Sequence, residues 1–219
     1  MPQAPDLGGK EALVVGCATP AARPIALALA AAGADVAIAS ATTEPEEMFE
    51  ARRIAKEAAL TGRRTFSQGW DVTLPVNVQV GLKQLLKEFG RPSILVFTAD
   101  APLERPLEKT TDAEFARVQQ VNLHGAFYAA RSFVRECVPA GPGRIIFVTP
   151  ALPQSSPPAG AAYAAARAGL VGLAAALSRE LAPRAIAVHC VALQGDDPAA
   201  TAALVALLAS EAAAAAPPP

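Results

Sequence analysis

Short apolar runs alternate with longer helical stretches along the whole chain. Residues 13–15, 35–39, 65–68, 94–97, 144–148 and 185–191 are brief, mostly apolar and bounded by turn residues, which predicts buried strands. Between them, 23–32, 44–60, 76–89, 112–137 and 160–181 carry apolar residues at helical spacing or are dense in alanine, which predicts helices. Gly33, Gly62, Gly90, Gly143 and Pro183 mark the ends and turns that such units need. A β-α repeat of this regularity predicts an α/β fold: a doubly wound, parallel, Rossmann-like sheet of about six strands with helices on both faces. Residues 198–215 can form one further helix, and no apolar strand follows it, so 185–191 is expected at a sheet edge. No linker divides the chain, which reads as a single domain over 1–219 with a low-complexity, frayed tail at 212–219.

Composition narrows the partners. The chain has 219 residues, 52% hydrophobic but only 5% aromatic, so much of its core is built from alanine. A net charge of -1, with acids and bases interspersed, gives no basic stripe and argues against nucleic acid. The N-terminus lacks the basic and apolar regions of a signal peptide, and Arg, Glu or Pro interrupt the alanine-rich stretches, so no membrane span and a cytoplasmic location are expected. Cys17, Cys137 and Cys190 have no motif spacing and read as small buried thiols. His124 and His189 share no ligand spacing, and no metal site is expected.

The candidate chemistry centres on Tyr163 and Arg167. Residues 161–173 (Ala-Ala-Tyr-Ala-Ala-Ala-Arg-Ala-Gly-Leu-Val-Gly-Leu) resemble the active-site helix of the short-chain dehydrogenase/reductase family. That family keeps Tyr-x-x-x-Lys there and a serine thirteen residues before the tyrosine. In this chain arginine stands at the lysine position and Pro150 at the serine position. The resemblance implies a general acid/base role for the tyrosine, whose hydroxyl titrates near pH 10 when unperturbed and needs a nearby cation. Spacing of four puts Arg167 on the same helical face as Tyr163. Arginine supplies the charge but does not deprotonate, so it cannot join a proton relay. Asn122 matches the family's asparagine, which holds a water behind the lysine.

The cofactor positions implied by the resemblance are mixed. The family's Thr-Gly-x-x-x-Gly-x-Gly aligns on Val15, Gly16, Pro20 and Ala22, and only Gly16 keeps its glycine. Pro20 lacks an N–H and its ring is expected to crowd the phosphates, while Thr19 as N-cap with Pro20 following would start a helix. Asp71 and Val72 match an adenine-contacting pair. Asp100 replaces a glycine after the fourth strand and is expected to set a carboxylate beside the dinucleotide path.

These replacements lead to the expectation of a non-catalytic family member. It would bind no cofactor and serve as a structural or regulatory subunit, a homodimer or a heteromer with an intact relative, paired through helices 112–137 and 160–181. One alternative is an active NAD(P)-dependent oxidoreductase acting on a carbonyl or alcohol through Tyr163, with NAD or NADP as cofactor. Another is a non-redox binder, isomerase or cyclase reusing the cleft.

Overall fold

The computed structural model describes residues 5–139, 141–149, 160–193 and 197–210. Pro150 and the 212–219 tail lie outside them. Six strands, β1 (Glu11–Val15), β2 (Asp35–Ala39), β3 (Thr65–Gln68), β4 (Ile94–Phe97), β5 (Gly143–Thr149) and β6 (Ile186–Ala192), form one parallel sheet. Its order is β3-β2-β1-β4-β5-β6. The predicted six-stranded, doubly wound architecture is the observed one, and β6 lies at the edge.

Alternation along each strand builds two cores. Leu13, Val15, Leu95, Phe97, Ile145 and Phe147 face one layer, formed by α3 (Pro75–Glu88), α5 (Gly125–Glu136) and α6 (Ala161–Leu181). Ala12, Val14, Val36, Ile38, Val96 and Ile146 face the other, formed by α1 (Ala22–Ala31), α2 (Pro45–Ala59) and α7 (Pro198–Ala209). Every residue of β4 and β5 is buried, as expected of central strands covered on both faces. The terminal helix α7 packs chiefly on α1 and also touches β5 and β6.

Three expectations need correction. The segment 112–137 is not one regular helix: α4 (Asp112–Gln119) runs into a π-helical turn over Gln120–His124, and α5 continues from Gly125. Within the turn the Asn122 amide reaches out to bond Ala101 in the loop after β4, and a Cβ on Gly125 would lie 2.8 Å from Val72 Cγ2. Thr19 does not cap α1: the helix begins at Ala22, with Ala21 before it and no side-chain cap. Finally, Ala161–Arg184 is long and apolar enough to cross a membrane by length and composition, with a mean hydropathy of 1.4, because its few charges are too sparse to offset the alanine and leucine. In the fold this helix docks on β6 and β5 through residues including Leu170, Ala174 and Leu181.

Candidate active site

A doubly wound sheet opens a crevice at the carboxyl ends of its strands where the chain order reverses, here between β1 and β4. A cleft of about 400 Å³ lies there, and Ala18, Ala41, Thr42, Ala99 and Asp100 are among its walls.

Gly16 shapes the first edge of the cleft. It has φ +91°, and a Cβ would fall 2.4 Å from the Ala99 backbone nitrogen, so only glycine lets the turn after β1 meet the loop after β4. Thr98 fastens the same junction by donating its hydroxyl to the carbonyls of Val15, at 3.2 Å, and of Gly16. Pro20 is exposed, and Ala18 is among the residues that line the cleft. Ala22 is fully buried in the core beneath α1.

A carboxylate that the sequence does not single out binds the next two loops together. Glu47, in the first turn of α2, accepts from the N–H groups of Cys17 (3.1 Å), Ala41 (2.9 Å) and Thr42 (2.8 Å), and from the Thr42 hydroxyl (2.8 Å). Acidic residues are common in first turns because the helix dipole favours them, so nothing in the sequence separates Glu47 from Glu46. Asp71 closes its own turn, accepting from the Thr73 N–H (2.9 Å) and hydroxyl (2.6 Å). Val72 is fully buried against Gly125.

The structure brings Tyr163, Arg167, Asn122 and Asp100 together. Tyr163 and Arg167 stand one turn apart on α6, with the guanidinium 4.3 Å from the ring centre. The Tyr163 hydroxyl donates to Asp100, whose two oxygens both lie 2.8 Å away. Arg167 Nη2 donates to Asp100 Oδ1 and to the Tyr163 oxygen. The side chains of this ion pair are only 3% and 10% exposed. Asn122 fixes the loop: its amide oxygen accepts from Ala101 N–H (3.1 Å), and its nitrogen donates to the carbonyls of Ala101 (3.0 Å) and Val118 (2.9 Å). Asp100, expected to face a dinucleotide as a bare carboxylate, is instead neutralised by Arg167. Burial, and next the Asp100 charge, push the Tyr163 hydroxyl above its ordinary range, while Arg167 pulls it the other way.

The residues present fit a dinucleotide. The close junction at Gly16 leaves an open crevice beside it, and the Thr19 hydroxyl in the turn after β1 is buried with no partner among the described residues. No group of three His, Cys, Asp or Glu suited to a metal occurs among them.

The comparisons agree with this geometry. A short chain dehydrogenase family model matches residues 10–206, and the chain belongs to the short-chain dehydrogenase/reductase family. It is 34% identical over 184 residues to the 3-oxoacyl-(acyl-carrier-protein) reductase FabG of Escherichia coli, covering 84% of this chain and 72% of that protein. A short-chain type dehydrogenase/reductase from Mycobacterium marinum superposes with a TM-score of 0.87 at 28% identity, covering 96% of this chain and 92% of that one. A short chain dehydrogenase from Burkholderia cenocepacia, solved in complex with NADP, gives 0.84 at 28% identity, covering 95% and 94%.

These relatives overturn the expectation of a non-catalytic subunit. They are named as reductases and dehydrogenases, and one of the solved structures holds NADP, so the expectation of no cofactor falls with it. Two of the replacements, Arg167 and Asp100, form an ion pair around the retained Tyr163.

Proposed function

We propose that this protein is an NAD(P)-dependent oxidoreductase that interconverts a carbonyl compound and an alcohol, with Tyr163 as the proton donor. The observation that carries the reading is the Tyr163 hydroxyl, held beside a guanidinium at the dinucleotide crevice of a family fold. A bound nicotinamide supplies hydride chemistry there. The protein's own residues handle the proton. Tyr163 gives its hydroxyl hydrogen to the substrate oxygen as negative charge develops on it, and the Arg167 cation steadies the resulting tyrosinate. Asn122 holds the Ala101 backbone and with it the Asp100 wall of the site.

The raised titration of Tyr163 gives this chemistry a direction. A tyrosine that stays protonated through the neutral range is ready to act as an acid in carbonyl reduction. The reverse reaction needs tyrosinate, so alcohol oxidation should climb steadily as pH rises through and beyond 10, about where a free tyrosine titrates. Steady-state rates of NAD(P)H oxidation with a panel of ketones and β-keto esters test the reading. Turnover should fall by about 10²–10⁴-fold in Tyr163→Phe, the range for loss of a positioned proton donor. Equal rates for wild type and variant would refute it.

A further inference from the structure

The proton balance of this site poses a problem that the structure answers. Once Tyr163 has given up its proton, something must restore it, and Arg167 holds its own protons too tightly to do so. Among the described residues, Asp100 bonds both Tyr163 and Arg167 and also lines the cleft. Its oxygens are equally distant from the tyrosine hydroxyl, at 2.8 Å, so either can exchange a proton with it. Its loop is held by Asn122, which accepts from the N–H and donates to the carbonyl of the next residue, Ala101.

We propose that Asp100 is the proton carrier between Tyr163 and the solvent of the cleft. The inference rests on the reductive role given to Tyr163 above. In the resting site the hydroxyl points at Asp100. When a carbonyl oxygen arrives, the hydroxyl hydrogen turns to it, the Oη–H bond breaks and an O–H bond forms on the product. Asp100 then takes a proton from the cleft onto an Oδ atom. That Oδ–H bond breaks as the Oη–H bond of Tyr163 re-forms, and Asp100 returns to a carboxylate facing Arg167. One proton leaves the solvent for each one delivered to substrate. The other charged or titratable groups around the pair among the described residues are Cys190 on β6, which feels the Arg167 charge, Arg117 on α4, and Glu44, Glu46, Glu47 and Glu50 across the cleft at and within the start of α2. Among the described residues, none of these hydrogen-bonds the tyrosine hydroxyl.

A plain counter-ion for Arg167 would occupy the same place, so the test separates carrier from counter-ion. The chain has two tyrosines, so Tyr128→Phe leaves Tyr163 as the one phenol seen in a near-ultraviolet tyrosinate titration. In that background, with neither cofactor nor substrate present, Asp100→Asn should lower the Tyr163 midpoint by about one pH unit or more, because the carboxylate is gone and Arg167 stays. In turnover, Asp100→Asn should be slower by about tenfold or more, and its rate should rise with the concentration of protonated buffer such as imidazolium, while the parent stays insensitive to buffer. An unchanged midpoint overturns the proposal, and so does an Asp100→Asn rate equal to the parent's or slow but indifferent to buffer acid. Turnover that needs Tyr163 but not Asp100 removes the relay alone. Turnover that survives Tyr163→Phe, or a parent with none, removes the relay together with the reductive reading.

Discussion

At the scale of single residues, a few polar side chains fix the walls of a cleft whose lining includes Ala18, Ala41, Ala99 and Val121. Asn122 contributes three hydrogen bonds from a position that is 2% exposed, two of them to Ala101, the residue next to Asp100. Replacing it by alanine leaves the Ala101 N–H and carbonyl without those partners. Asn122→Ala should therefore cost about 1–3 kcal/mol, read from urea unfolding midpoints, and should slow turnover by loosening Asp100. The sequence made Tyr163, Arg167, Asn122 and Asp100 visible as candidates through the family's spacing. It did not show that Asp100, while lining the cleft, pairs with Arg167, because that pairing joins residues 67 apart. We predict that Glu47 also bears on cofactor choice. With Glu44 and Glu46 it gives the cleft wall beyond β2 an acidic character, and its carboxylate already occupies the amides of Ala41 and Thr42. A ribose 2′-phosphate would meet like charge there, whereas a diol would meet an acceptor. Calorimetric titration should show NADH binding about tenfold or more tightly than NADPH, and the reverse order would contradict this account of Glu47.

At the scale of elements, strand and helix identities follow from hydrophobic patterning, and the departures have local causes. The predicted strands match because central parallel strands are apolar on both faces, which leaves a plain signal. The π turn in 112–137 keeps the helical run of apolar residues, and the outward bond of Asn122 and the contact between Gly125 and Val72 mark where it falls. The predicted helix 23–32 matches α1 to within a residue, and the local cap that Thr19-Pro20 offers is overridden by the turn after β1. Helix α3 packs through a glycine for a similar tertiary reason. A Cβ on Gly81 would lie 2.2 Å from Nε1 of the buried Trp70, the single tryptophan of the chain. Gly81→Ala should destabilise the fold by about 1–3 kcal/mol, the usual range for overpacking, and Trp70 fluorescence reports the earlier unfolding directly.

At the scale of the whole molecule, the order β3-β2-β1-β4-β5-β6 places the ends of β1 and β4 side by side and so creates the crevice in which the site is assembled. The two buried cores also hold thiols whose protonation is tied to folding. Burial pushes Cys137 from 9.0 up to about 12 and raises Cys17 further still, with Glu47 adding to the effect. Raised values mean that the folded state keeps its protons where the unfolded chain releases them. This contribution is complete below about pH 9 and is lost as pH rises from there towards 12, so the melting temperature should decline over that interval, and calorimetry at stepped pH checks it. Assembly of one charged pair around one tyrosine is nevertheless the central claim, and it is tested most directly by stopped-assay NAD(P)H oxidation with a carbonyl substrate, wild type against Tyr163→Phe. The account predicts turnover in the wild type and a loss of about 10²-fold or more in the variant. Equal rates in the two proteins, or none in the wild type across the substrate panel, would contradict it.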